Sequence, residues 1–164
     1  MHNNVGSLDG IPQAAAAVLL LILTLCLQCA GVAALIEWLR SVTAKSAKFG
    51  PIRSALVVVK STIAIIVLHG LLILLWASFY RLQYFRSWEL ALYFSASSYA
   101  TVGCSDAILP GMWRLLGPLE SMAGVLMCGV SVCLLFATIT RLVNRDPLPV
   151  ALEESPYSSE QSHA

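Results

Sequence analysis

The sequence has little charge. Only 12% of its 164 residues are Asp, Glu, Lys or Arg, about half the share that is typical of soluble globular domains. The net charge of +1 is too small to hold nucleic-acid phosphates. We find no internal repeat, no phosphate-binding Walker loop and no dinucleotide-binding fingerprint. These absences argue against a soluble enzyme and a nucleic-acid partner, whereas 58% hydrophobic residues and a mean hydropathy of +0.78 indicate a membrane protein.

The sequence also has few cysteines in polar surroundings. Cys26, Cys29, Cys128 and Cys133 lie inside apolar runs, where a thiol acts as a small hydrophobic side chain, and only Cys104 lies among polar residues. The spacing of Cys26 and Cys29 matches redox motifs, but no strand pattern adjoins them. We therefore expect no disulfide framework and no metal or redox site.

Three long apolar runs occupy residues 14–36, 55–79 and 115–142. Each supplies roughly the 20 residues that a helix needs to cross a bilayer core about 30 Å thick. No Lys or Arg precedes the first run, which is also longer than the core of a cleaved signal peptide, so we expect a retained helix. The sequence predicts an all-α membrane protein with three transmembrane helices.

The loop between the first two spans and the end of the third span are both basic, and both lie on the same side of the predicted bundle. Short loops rich in Lys and Arg remain in the cytoplasm, so we expect an external amino terminus and a cytoplasmic carboxyl terminus in the cell membrane. The tail at residues 146–164 is rich in Pro, Ser and Glu, which predicts disorder. The basic residues concerned are Arg40, Lys45, Lys48, Arg53, Arg141 and Arg145.

The segment between the second and third runs contains an apolar stretch that is too short to span. This stretch covers residues 88–99, a length that suits a re-entrant helix. Ser87 would be its N-cap, and Glu89 would lie in its first turn. Small polar residues and a glycine follow at 100–106. Such irregular backbone is tolerated at membrane depth only inside protein or along a water-filled path. The sequence therefore predicts a pore.

These residues resemble the pore domain of two-helix potassium channels, over residues 56–145. The matching elements are Leu92-Tyr-Phe-Ser95, Ala100-Thr-Val-Gly103 and Asp106 between two spans. The resemblance implies a homotetramer in the lipid bilayer, in which filter carbonyls replace the hydration shell of monovalent cations, chiefly potassium. It assigns the filter to Thr101, Val102, Gly103, Cys104 and Ser105, and filter support or the pore mouth to Ser97, Asp106 and Glu120.

The outer filter departs from that family. Cys104 stands where the family has a tyrosine that braces the filter, and Ser105 stands where it has a second glycine. A side chain at that glycine position costs roughly 1 kcal/mol if the left-handed conformation is required. The resemblance therefore implies a cation pore with weakened potassium selectivity.

The third span adds further candidates. Gly124 and Gly129 resemble the family's paired hinge glycines, although small residues also let membrane helices approach closely. If the face near Gly124 looks toward the pore axis, helical spacing predicts a cavity-lining stripe, whose alternative is an ordinary lipid or core face. The residues of this stripe are Val125, Cys128, Val132, Phe136 and Thr140.

Two ionisable residues lie within the predicted spans. Glu120 comes about 10 Å below Trp113 by helical rise, where we expect it to support the filter through Ser97, Ser98 or the filter backbone. A wet crevice near the outer mouth is the alternative. His69 lies at a similar depth, and a packing role is favoured over proton sensing. Aromatic side chains gather near the end of the second span and are expected at the outer membrane interface. They are Trp76, Tyr80, Tyr84, Phe85 and Trp88.

The sequence thus predicts four regions: an external amino terminus at 1–13, an additional helix and basic loop at 14–54, a pore domain at 55–145 and the tail at 146–164. The predicted function is passive cation conduction, not catalysis, without an organic cofactor. A non-conducting membrane subunit with a degenerate filter is the main alternative. A membrane thiol enzyme that uses Cys104 is less favoured, and a transporter is less favoured still.

Overall fold

The computed structural model describes residues 10–44, 50–103, 109 and 111–145. Throughout these ranges the regular elements are helices, and three of them contain segments long and apolar enough to cross a membrane, at Ala14–Ala44, Ile52–Gln83 and Trp113–Asn144. The expected all-α membrane class is therefore confirmed. The elements are α1 (Gly10–Ala44), α2 (Pro51–Gln83), α3 (Trp88–Tyr99), a 3₁₀ turn (Gly111–Leu115) and α4 (Leu116–Arg145).

Several sequence-based expectations lie outside the described residues. They concern the predicted tail at 146–164, most of the external amino terminus, and the outer filter with its following acid. The residues of this last group are Cys104, Ser105 and Asp106.

The short helix α3 has the predicted bounds, Trp88–Tyr99. Ser87 is its N-cap residue, although the Ser87 side chain makes no capping hydrogen bond, and Glu89 lies in the first turn. The two long helices that flank α3 extend beyond the apolar runs, and α2 begins with Pro51 at its first turn, where a missing N–H costs nothing. α3 is thus a separate element, too short to cross the bilayer.

The three long helices alternate in direction. At one end of the bundle the buried residues Ala17, Trp76 and Leu116 share a core, and at the other end Leu39 and Leu142 do so. α1 is therefore antiparallel to α2 and parallel to α4. α3 packs between α2 and α4 at the first end, opposite the end that carries Arg40, Arg53 and Arg141.

Two aromatic residues near the end of α2 face the other helices. Trp76 and Tyr80 belong to the aromatic group expected at the outer membrane interface, and both are completely buried between the helices. The Tyr80 ring meets the Phe94 ring edge-on at 4.9 Å, and the Trp76 indole donates a hydrogen bond to α1. Tyr84, beyond the end of α2, packs on Trp113, and burial raises its pKa to about 12. The aromatic group is thus largely a packing core that holds α3 against α2.

One face of α1 carries its contacts with the other helices. Trp76 Nε1 donates to Thr24 Oγ1 at 3.0 Å, and Gly31 lies so close to Leu68 that a Cβ at position 31 would clash with that side chain. Gln28, between them, contacts α4. These three positions are spaced by four and three residues, so they share one side of the helix. Small and polar side chains therefore add directional contacts to the apolar packing of α1.

Substitution of Thr24 by Val tests this docking. Valine keeps the shape of threonine but cannot accept the Trp76 N–H, which would be left buried without a partner. We expect a loss of roughly 1 kcal/mol in the free energy of unfolding. Chemical denaturation of the purified protein in detergent measures it, and an unchanged stability would show that the Trp76 bond contributes nothing.

Candidate functional site

The carboxyl end of α3 lies deep in the bundle. Its last residue, Tyr99, shares a buried cluster with Leu72 of α2 and Met127 of α4. Each of these partners lies 11 residues from the nearer end of its helix, at Gln83 and Leu116 respectively, which is about 16 Å by helical rise. The chain therefore enters the bundle with α3 and changes direction roughly halfway through the membrane.

Residues 101–103 follow directly and turn back on α3. The amide of Thr101 donates to the Ser98 carbonyl at 2.9 Å, and the amides of Val102 and Gly103 donate to the Ser97 carbonyl at 2.9 and 3.1 Å. All three residues are exposed on the single chain, with Val102 at 78%. Ser97, an expected support, thus holds this segment through its backbone oxygen.

Two residues of this segment have positive φ angles. Gly103 has φ +76° with open space around its Cα, so glycine is favoured there for its backbone conformation and not for lack of room. Thr101 has φ +61°, which is uncommon for a β-branched residue and costs of order 1 kcal/mol or more. Such local strain persists only where surrounding contacts hold it, and it is frequent at functional sites.

Glu120 of α4 joins three helices. Its side chain is completely buried, so in this chain it does not lie in the wet crevice that was the alternative. Tyr80 of α2 donates its hydroxyl to Glu120 Oε2 at 2.9 Å, and Ser95 of α3 lies 2.5 Å from Oε1. The prediction that Glu120 bonds to Ser97 or Ser98 is wrong. The rotation of α3 about its axis turns Ser95 toward the carboxyl group instead.

The Ser95 hydroxyl lies between two oxygen atoms. Besides Glu120 Oε1, the carbonyl oxygen of Ile73 lies 2.9 Å from Ser95 Oγ. A serine hydroxyl has one hydrogen, and a carbonyl can only accept. An amide at position 120 would satisfy every group, because its nitrogen could donate to Ser95 while its oxygen accepts from Tyr80. The site therefore needs a hydrogen-bonding side chain of this shape.

α4 also contacts the last turn of α3. Ser121 Oγ donates to the Ser98 carbonyl at 2.5 Å, which places a hydroxyl on the Ser98 oxygen that also accepts from Thr101. Gly124 lies directly against the Tyr99 carbonyl, where any Cβ would clash with backbone. Gly129, in contrast, has open space around it. Of the two expected hinge glycines, Gly124 therefore has the close-approach role.

The expected cavity stripe lies on the exposed side of α4. Its members are exposed on the single chain, and all of them except Thr140 are apolar. They are Val125, Cys128, Val132, Phe136 and Thr140, all exposed.

Two polar residues gain partners that the sequence did not reveal. His69 Nδ1 lies 2.6 Å from the Tyr99 hydroxyl, and His69 Nε2 lies 3.0 Å from Ser131 Oγ. Gln28 of α1 reaches Ser131 as well. Thr24 and Gln28, two polar side chains one turn apart in an otherwise apolar stretch, were the signal that could have identified this face of α1.

A comparison with protein families gives one match. A family described as "Ion channel" matches residues 61–141, just under half of the chain. Over these residues the chain is similar to ion channels. The match begins in α2, includes α3 and residues 101–103, and ends in α4, and it leaves α1 outside. No curated protein and no solved structure matches the chain. The match supports an ion channel in a membrane.

Glu120 yields the sharpest prediction at this site. Substitution by Ala leaves the buried hydroxyls of Tyr80 and Ser95 without the carboxyl group and opens a cavity, so we expect a loss of roughly 2 to 4 kcal/mol in stability. Substitution by Gln should cost about 1 kcal/mol or less, because the amide fits both partners. Denaturation of both variants in detergent measures the difference, and equal losses would contradict the bridging role.

Proposed function

We propose that this protein is a homotetrameric cation channel of the potassium-channel type. The observation that carries the proposal is a helix too short to span, packed between two spanning helices, that ends near mid-membrane in the exposed residues 101–103. A single exposed segment of this kind leaves polar backbone at membrane depth. Four copies around one axis surround that backbone with protein and water.

The end of α3 suits a cation. Helix carboxyl ends carry a partial negative charge, and α3 directs this end toward residues 101–103. The carbonyl oxygens of Thr101, Val102 and Gly103 would form the inner rings of the filter, and Cys104 and Ser105 the outer ones. Asp106, repeated around the axis, would concentrate cations at the mouth. No organic cofactor is needed, since permeating monovalent cations, chiefly potassium, are the cargo.

The exposed stripe of α4 would line the cavity on the inner side of this filter. A mostly apolar lining, with Phe136 70% exposed on the single chain, suits closure by dewetting. Gly129 is the better hinge of the two glycines, because bending at Gly124 would disturb its contact with Tyr99. In this arrangement the end of the bundle with Arg40, Arg53 and Arg141 faces the cytoplasm, and the filter faces outward across the cell membrane.

A non-conducting subunit remains the second candidate. It rests on Cys104 and Ser105, which replace the aromatic brace and the second glycine that the potassium-channel resemblance implies. The buried support of α3 favours conduction, since Glu120, Ser121 and Gly124 all contact its last two turns. Ion flux through purified protein in liposomes separates the two functions.

The first prediction of this proposal concerns assembly. Native mass spectrometry of the protein released from detergent should give a mass four times that of the 17.7 kDa chain. Closed rotational symmetry is the usual solution for identical membrane subunits that share one axial site. A monomer or dimer that still conducts ions would contradict the four-fold filter.

The second prediction concerns ion selectivity. Since the outer filter lacks its brace, we expect cation over anion preference but weak discrimination of potassium from sodium, measured as reversal potentials under opposing gradients. The double substitution Cys104→Tyr with Ser105→Gly should sharpen potassium selectivity. Each single substitution serves as a control that restores one feature only. Strong potassium selectivity of the unmodified protein would contradict a loosened outer filter.

A further inference from the structure

Four side chains form one continuous hydrogen-bonded chain across the bundle. Gln28 Nε2 on α1 donates to Ser131 Oγ on α4 at 3.2 Å, and that oxygen lies 3.0 Å from His69 Nε2 on α2. His69 Nδ1 in turn lies 2.6 Å from the hydroxyl of Tyr99 on α3. Each of the four helices contributes one member. We call these four residues the cross-bundle chain.

The chain is complete with an uncharged imidazole. A neutral histidine has one donor and one acceptor nitrogen, and the hydroxyls of Ser131 and Tyr99 can each donate or accept. Both tautomers of His69 therefore satisfy the two bonds. Buried polar networks that are satisfied in this way fix the relative positions of their members.

Tyr99, at one end of the cross-bundle chain, lies two residues before Thr101. Tyr99 is the last residue of α3, its carbonyl lies against Gly124, and the amide two residues later is tied to the same helical turn. Its hydroxyl bond to His69 fixes the outer tip of the ring. The orientation of the last turn of α3, and hence of residues 101–103, is thereby linked to α2 and α4.

Packing alone does not explain why Gln28, at the other end of the cross-bundle chain, is buried. The side chain is 2% exposed, and among the described residues its Oε1 atom has no hydrogen-bond partner. Burial of an unpaired amide oxygen is unfavourable, and a leucine of similar length would avoid it. Gln28 is therefore less favourable for packing than an apolar side chain, but it provides a directional hydrogen bond to Ser131.

We propose that the cross-bundle chain makes α1 a positioning element of the filter, with Gln28 as the residue through which α1 acts. Its effect on ions rests on the proposed channel function, whereas the mechanical link from Gln28 to residues 101–103 does not. α1 lies outside the region that matches ion channels, so this role is specific to a chain that carries the additional helix.

The link is tested by hydrogen exchange of the amides of residues 101–103 in the full-length protein. Gln28→Leu and Ser131→Ala interrupt the chain, and Tyr99→Phe removes only the terminal hydroxyl. Each should accelerate exchange roughly fivefold, the factor that corresponds to about 1 kcal/mol for one hydrogen bond. Ser131→Thr keeps the hydroxyl and should restore slow exchange.

Thr24→Val is the matched control. It removes a buried inter-helix bond of the same α1 face, to Trp76, but that bond is not part of the cross-bundle chain. We expect exchange at 101–103 to stay within about twofold of the unmodified protein. If Gln28→Leu accelerates exchange no more than Thr24→Val, α1 merely stabilises the bundle and the proposal is overturned.

Ion selectivity separates this inference from the channel function. In liposomes, Gln28→Leu should shift the potassium-to-sodium permeability ratio by roughly twofold or more, the equilibrium effect of losing part of one hydrogen bond, while Thr24→Val leaves the ratio unchanged. Accelerated exchange without any ion flux would uphold the link and reject the channel. An unchanged ratio in a conducting Gln28→Leu protein, despite accelerated exchange, would reject the effect of α1 on the filter.

Discussion

The structure depends on a buried carboxyl group that joins three helices where no water can replace its bonds. Glu120 contacts Tyr80 of α2 and Ser95 of α3, and these contacts hold a helix that cannot be anchored by spanning the bilayer. Lipid is as apolar as leucine, so apolar side chains give membrane helices little reason to prefer one another. Polar groups determine which helix faces meet, because a polar group without a hydrogen-bond partner in hydrocarbon is unfavourable. α3 consequently has a fixed depth and rotation.

That fixed position makes the geometry of residues 101–103 possible. Three amides of this segment fold back onto the carbonyls of Ser97 and Ser98, and a β-branched residue at 101 adopts a left-handed conformation. A free segment would relax from such a state, since the cost of order 1 kcal/mol is not recovered locally. The contacts of Ser121 and Gly124 with the last turn of α3 provide the compensation. Strain in this segment is therefore supported by α4.

The sequence predicts the elements well and their facing sides poorly. The bounds of α3 agree because length and hydropathy separate a short apolar helix from a spanning one. Which side of a helix faces its neighbours is harder to predict, since nearly every side of α2 and α4 is apolar. Ser95 and Ser98 lie one turn apart on α3, and only the packed structure shows that Ser95 meets Glu120. For the same reason the sequence does not reveal that Trp76 and Tyr80 face the core of the bundle.

The additional helix α1 shows how little apolar packing can specify in this setting. Its apolar residues Leu20, Leu35 and Leu39 pack into the cores at the two ends of the bundle. Its directional contacts lie between them, as a bond from Thr24 to α2, a bond from Gln28 to α4 and a close approach of Gly31 to α2. These last three positions are the ones that apolar packing does not provide. None of the three is a large hydrophobic residue. An apolar helix without them could slide or rotate against its neighbours at little cost, because lipid would cover whichever face it exposed. Two directed bonds and one close approach add a preferred depth and rotation to this apolar packing, so α1 occupies a defined position beside the helices that hold residues 101–103.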